Sequence, residues 1–140
     1  MQTVVLAAGQ GTRMRPLTDA TPKPMLPAVG RPLLEHTLDR AADAGASRFV
    51  VVVGYESEKV TDHFGDSHAG VDIAYAEQTD QRGTADAVRA AAPELDDAPF
   101  VVLNGDALYD PESLATLYER GPAVGSFRVA HPSNYGVLHV

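Results

Sequence analysis

Apolar positions along the chain follow two rhythms. Short continuous runs rich in β-branched residues mark strands, and apolar residues three or four apart mark helix faces. Thr3–Ala8 is a strand run that ends in glycine. In Leu33–Ala44, Leu34, Leu38 and Ala41 share one helical face and Gly45 is a stop. Arg48–Val53 is a second strand, apolar without a break from Phe49, as suits a strand buried on both faces of a parallel sheet. Ser57–Phe64 reads as a short helix and Val71–Ala76 as a third strand. Thr84 is placed to cap a helix running through Ala92, with Val88, Ala91 and Leu95 at helical spacing. Phe100–Leu103 is a fourth strand that enters Asn104-Gly105-Asp106. Asp110-Pro111 opens a helix with an acidic cap and proline at its first position. Leu114, Leu117 and Tyr118 are that helix's apolar face, and Gly121-Pro122 ends it. Val124–Ala130 and Gly136–Val140 read as two further strands.

Strands alternating with helices predict an α/β fold: a Rossmann-like, three-layer αβα arrangement around a mainly parallel, mixed sheet. The 140 residues amount to about one domain, with no internal repeat or linker. The last predicted strand runs to the final residue, so the expectation is a fold that continues beyond Val140. Hydrophobic content of 44% and charged content of 21% are ordinary for a globular protein. A net charge of −8 argues against general binding to nucleic acid or to an anionic membrane. Without cysteine there is neither a disulfide framework nor a thiolate metal site, which fits a cytoplasmic location. No segment has the pattern of a signal peptide or a membrane span. Nine of the eleven basic side chains are arginine, and aspartate outnumbers glutamate twelve to seven. That bias fits codon usage in a GC-rich source as well as adaptation to salt.

Charge changes the picture at one place. The first strand runs into Gly9 and Gly11, then Arg13 and Arg15, then five of the ten prolines between Pro16 and Pro32 surrounding Lys23. In open α/β sheets, ligands sit beyond the carboxyl ends of strands where strand order reverses. Glycines there let the backbone turn sharply and bring its N–H groups to an anion. The arginines and Lys23 add positive charge, and prolines leave the loop little entropy to lose on binding. The combination suits a polyphosphate, although Gly-x-Gly equally serves a plain tight turn. A dinucleotide fingerprint would need a third glycine and an immediate helix, and a P-loop would need Gly-Lys-Ser/Thr; neither pattern is present.

Leu6-Ala-Ala-Gly-Gln-Gly-Thr-Arg-Met-Arg-Pro-Leu-Thr18, followed by Pro22-Lys-Pro-Met-Leu-Pro27, resembles the signature of the sugar-1-phosphate nucleotidylyltransferases. Three later stretches resemble the same family. These are Glu77-Gln78 with Arg82-Gly-Thr-Ala-Asp-Ala-Val88 for the base, Leu103-Asn-Gly-Asp106 for a metal, and Tyr135-Gly-Val137 for the sugar. The resemblance spans nearly the whole chain. It implies an N-terminal, nucleotide-binding part of a nucleotidyltransferase domain over residues 1–140, incomplete at its C-terminal end. The implied reaction joins a nucleoside triphosphate to a sugar 1-phosphate and releases pyrophosphate, with Mg²⁺ as cofactor.

Roles follow residue by residue from that resemblance. Leu6, Ala7, Ala8, Gly9, Gly11 and Thr12 bind the nucleotide, with backbone donors of Gly9, Gly11 and Thr12 facing the triphosphate. Arg13 neutralises the leaving pyrophosphate, and Lys23 approaches the α-phosphate or the incoming sugar phosphate. These two are the candidate catalytic residues. Arg15 is left between a phosphate role and pairing with an acid. Asp106 is the metal carboxylate; Asp110 is read as a helix cap. Gln78, Gly83 and Thr84 receive the base, and the Gly-Thr-Ala-Asp-Ala-Val form favours UTP or dTTP. Tyr135 and Gly136 face the sugar. The five histidines show no ligand spacing and are assigned no role.

The family continues with a second lysine and a second metal ligand, neither of which occurs in these 140 residues. The expectation is therefore an active parent enzyme and a weakly active or inactive isolated chain. A non-catalytic nucleotide-sensing module is the alternative from another class, and a dinucleotide-binding oxidoreductase domain a more distant one. The sugar and the oligomeric state, homo-oligomer included, stay open.

Overall fold

The computed structural model describes residues 1–80, 82–131, 133 and 136. In chain order the elements are β1 (Gln2–Leu6), β2 (Pro27–Ala28), β3 (Arg31–Pro32), α1 (Leu33–Asp43), β4 (Arg48–Val53), α2 (Ser57–Phe64), β5 (Ser67–His68), β6 (Val71–Glu77), α3 (Thr84–Ala91), β7 (Phe100–Asn104) and α4 (Pro111–Glu119). Single turns of 3-10 helix lie at Thr12–Met14, Lys23–Met25 and Ala92–Glu94.

The main sheet has the order β5-β6-β4-β1-β7. Only β5 is antiparallel to its neighbour; β6, β4, β1 and β7 are parallel. The register sets Leu6 beside Val52 on one side and Asn104 on the other, so the ends of β1, β4 and β7 lie level. The chain leaves β1 toward β4 and later returns to β1's other side as β7. That reversal makes the gap between the β1 and β7 ends the switch point, where ligands gather in such sheets.

The unbroken apolar runs reflect burial on both faces. On one face Val5, Phe49, Val51 and Leu103 pack with Leu34 and Leu38 of α1, Val60 and Phe64 of α2, and Leu114 and Tyr118 of α4. On the other, Val4, Val50, Val52 and Ala76 pack with Ala87 and Ala91 of α3. α4 is tied to β1 by the buried contact of Thr3 Oγ1 with Tyr118 Oη at 2.5 Å. Burial pushes the Tyr118 phenol up, with the Thr3 contact opposing it.

Two sequence expectations change, and a third falls almost wholly outside the described residues. Val124–Ala130 forms no strand. A strand exists only when a neighbour takes up its backbone hydrogen bonds, and among the described residues nothing pairs with the outer edge of β7. Val124 and Phe127 are instead 73% and 77% exposed. The helix from Thr84 is capped one residue earlier, by Gly83 at φ 105°, a conformation suited to glycine. The Gly136–Val140 strand lies outside the described residues except for Gly136, which is exposed and in no strand.

Three of the histidines join a polar network with Arg31, Glu35 and Asp39. Arg31 donates to Glu35 at 3.2 Å and Asp39 at 2.7 Å, and His68 Nε2 meets Asp39 Oδ1 at 2.7 Å. His63 lies 3.5 Å from Glu35, and His36 bridges Arg31 to the Ala28 carbonyl. Burial works against the Asp39 charge, but the bonds from His68 and Arg31 hold its carboxyl below the usual value.

Candidate active site

A cleft of about 400 Å³ opens at the switch point. β1 and the loop after it contribute Leu6, Ala8, Gly9, Gly11 and Arg13. The Lys23–Met25 turn adds Lys23 and Pro24, the region from β6 to α3 adds Gln78, Gly83, Thr84 and Ala87, and the end of β7 adds Asn104 and Asp106. Segments separated by up to a hundred residues thus meet where β1 and β7 end.

The loop from Gly9 to Pro27 is held at several points. Gly11 has φ 64°, and a Cβ there would stand 2.9 Å from both Lys23 Cβ and Thr18 Cγ2. Only glycine allows that approach. Thr18 is buried and donates to the Gly11 carbonyl at 2.8 Å. Arg15 pairs with Asp19 at 3.5 Å, on the outer side of the loop. Tyr55 donates to the Asp19 carbonyl at 3.2 Å, and Lys59 reaches the Ala20 carbonyl. Lys59 also lies 2.6 Å from Glu56 Oε2, an ion pair whose angles fall short of a hydrogen bond. The two lysines of the chain therefore both serve this loop, one inside the cleft and one behind it.

Asp106 is positioned by the tightness of the preceding residue. Gly105 donates to the Leu6 carbonyl at 2.9 Å, and a Cβ on it would lie 3.0 Å from that oxygen and 3.1 Å from Leu34 Cδ1. From the other side, buried Thr37 of α1 donates to the Ala107 carbonyl at 3.0 Å. Tyr109 accepts from the Asn104 N–H at 2.7 Å. Burial raises the Tyr109 phenol, and the Asp106 charge adds to that against the bond with Asn104. Fixed in this way, the Asp106 carboxylate pairs with Lys23 Nζ across the cleft, each side chain about one-third exposed.

On the opposite wall Gln78 is 7% exposed, and its Nε2 donates to the Gly83 carbonyl at 3.3 Å and Asp86 Oδ2 at 3.0 Å. Its backbone N–H bonds the Val53 carbonyl, extending the β4–β6 ladder by one residue.

Of the candidates named from sequence, the cleft gathers Leu6, Ala8, Gly9, Gly11, Arg13, Lys23, Gln78, Gly83, Thr84 and Asp106. Ala7 is not among its lining residues; it is buried on the α1 side of the sheet. Thr12 is exposed in the first 3-10 turn, and Gly136 is exposed and not among the lining residues. Tyr135 lies outside the described residues. Asp110 caps α4, accepting from the Ser113 N–H at 2.9 Å, a bond that holds its carboxyl below the usual value. Sequence reasoning missed Pro24, Ala87 and Asn104 in the lining and Thr18, Tyr55, Lys59 and Asp86 behind it. The scarcity of lysine could have marked Lys59; Thr18, Pro24, Asp86, Ala87 and Asn104 lie within the motif stretches without having been assigned a role, and no local signal marks Tyr55.

A family model described as nucleotidyl transferase matches residues 2–140, the stretch that builds this cleft. The chain belongs to the nucleotidyl transferase family. It is 44% identical over 110 residues to the UTP–glucose-1-phosphate uridylyltransferase AglF of Haloferax volcanii, covering 79% of this chain and 45% of that protein. It is 44% identical over 112 residues to the N-acetylmuramate alpha-1-phosphate uridylyltransferase of Neisseria meningitidis, covering 79% and 48%. A solved UDP-glucose pyrophosphorylase in complex with UDP-glucose shares the fold with a TM-score of 0.73 at 26% identity, over 85% of this chain and 53% of that one. This nucleotidyl transferase chain thus spans less than half the length of either curated relative. Among its described residues no helix is long and apolar enough to cross a membrane.

Proposed function

We propose that the chain is the nucleotide-binding part of an enzyme that transfers a nucleoside monophosphate from UTP or dTTP to a sugar 1-phosphate, releasing pyrophosphate. The observation that carries this reading is the cleft at the β1–β7 switch point, in which Arg13, Lys23 and Asp106 come together beside a backbone loop containing Gly9 and Gly11. Two relatives bearing the name uridylyltransferase favour the uridylyl form.

In this reaction an oxygen of the sugar phosphate attacks the α-phosphorus. The bond from that phosphorus to the bridging oxygen of the β-phosphate breaks, and pyrophosphate leaves in line. The work asked of the protein is mainly positioning and charge neutralisation. In the proposed roles, Gly9 and Gly11 bring backbone N–H groups to the phosphates, and Arg13 faces the departing pyrophosphate. Lys23 leaves Asp106 for the α-phosphate and the incoming sugar phosphate.

Asp106 and Asn104 offer hard oxygen donors at one point of the cleft. No group of three His, Cys, Asp or Glu suited to a metal occurs among the described residues. That donor set fits Mg²⁺, which keeps water and phosphate oxygens as ligands and needs few from protein. Asp106 would hold it, and when bound it supplies neutralising charge across the phosphates.

The test is a turnover assay with Mg²⁺, a panel of nucleoside triphosphates and common sugar 1-phosphates, on this chain and on the product of the longest reading frame containing it. The expected result is uridylyl or thymidylyl transfer by the longer product and weak transfer by residues 1–140. Lys23→Ala and Arg13→Ala should each lower kcat/KM by about a hundredfold or more. Tight nucleotide binding without turnover in the longest product would replace the enzyme reading with a sensing module.

A further inference from the structure

Gln78 and Asp86 carry a further inference, which rests on the uracil or thymine assignment above. Both amide hydrogens of Gln78 have partners, the Gly83 carbonyl at 3.3 Å and Asp86 Oδ2 at 3.0 Å. A backbone carbonyl and an ionised carboxylate can only accept. Turning the amide round would set Gln78 Oε1 against two oxygens, so its orientation is fixed by chemistry. Asp86 is itself held: it lies in the first turn of α3, where negative charge is favoured, with Arg82 Nε 3.8 Å from its other oxygen. Gln78 lines the cleft, and what its side chain has left to offer a ligand is an acceptor.

Uracil and thymine have a single ring N–H that can meet such an acceptor, N3–H between two carbonyls. Cytosine has a lone pair at that position. We propose that Asp86 is a specificity-determining positioning residue: by holding the amide of Gln78, it presents Oε1 to N3–H and rejects a pyrimidine lacking that hydrogen. Asp86 does not line the cleft and acts through Gln78 alone. Without it, one neutral acceptor at 3.3 Å would hold the amide, and Gln78 could present either end.

The experiment is calorimetric titration of the purified chain with UTP, dTTP and CTP in the presence of Mg²⁺, for the wild type, Asp86→Ala and Asp86→Asn, with circular dichroism as the check on folding. The wild type should prefer UTP and dTTP to CTP by about tenfold or more, the usual scale for a mismatched buried hydrogen bond. Asp86→Ala should reduce that preference by at least about fivefold, as the amide gains freedom to meet the cytosine ring nitrogen. Asp86→Asn should relax it as well, because the Asn amide can turn to donate to Gln78 Oε1 and so no longer fixes which end of Gln78 faces the base. An unchanged preference in folded Asp86→Ala, or equal loss of UTP and CTP, would overturn the proposal while leaving the nucleotide reading intact. A wild type that binds neither UTP nor dTTP, or binds CTP as well, would remove the base assignment and this inference with it.

Discussion

Gly9 and Gly11 look alike in the sequence and do different things. Gly11 has positive φ and no room for a methyl group, whereas a Cβ on Gly9 would meet no atom of the protein within 4 Å. Gly11→Ala should therefore strain the backbone by about 1–2 kcal/mol and push against the stem of Lys23. The expected outcome is a melting temperature lower by several degrees and UTP binding weakened about tenfold or more. Gly9→Ala should leave the melting temperature nearly unchanged and still weaken UTP binding, since the added methyl would stand in the space that the proposed role of Gly9 gives to phosphate. Melts and titrations of the two variants, with and without MgUTP, check this; equal thermal effects would show that the two glycines share one role. At this scale Gly9, Gly11, Arg13 and Lys23 stood out in the sequence as a charged loop of glycines and prolines, and Asp106 stood out only through the family resemblance of its turn. Thr18, Tyr55, Lys59 and Asp86 did not, because their partners are backbone carbonyls or side chains met only through tertiary approach.

At the scale of elements, the parallel strands and four helices could be read because each is long enough to show its period and is packed on a known face. Arg48–Val53 and Ser57–Phe64 match the sequence expectation to the residue. The two-residue strands β2, β3 and β5 have no period to read, and their turns hide as well. Val29-Gly30 and Ala69-Gly70 connect antiparallel strands with both residues at positive φ, the type I′ geometry that Asn-Gly normally announces. Val29 is β-branched, at φ 51° and 97% exposed, so it bears strain without packing to offset it. Val29→Asn should raise stability by about 1 kcal/mol, or a few degrees in the melting temperature. Val29→Thr, still β-branched, should not. A Val29→Asn variant no more stable than the wild type would mean that the turn relaxes in solution to a conformation without that strain.

For the whole molecule, the two cations of the cleft lining, Arg13 and Lys23, are surrounded by a chain whose net charge is −8. Lys23 is already paired with Asp106, which leaves the field seen by a distant anion dominated by the surround. If the cleft binds a nucleoside triphosphate as proposed, that ligand, still anionic as its Mg²⁺ complex, would be repelled at long range by the net charge and attracted only within the cleft. Salt screens the first effect far more than the second, because the Debye length falls from about 14 Å at 0.05 M to about 4 Å at 0.5 M. The association rate for MgUTP, measured by stopped flow at constant Mg²⁺, should therefore rise with NaCl over that range, by about two- to fivefold, instead of falling as it does for electrostatically steered ligands. Arg13→Ala should change the dissociation rate much more than the salt dependence of association, since it removes a contact and little of the long-range field. A steep fall in association rate with salt would show that the local cations govern approach, and that the acidity of the rest of the molecule is directed away from the cleft mouth.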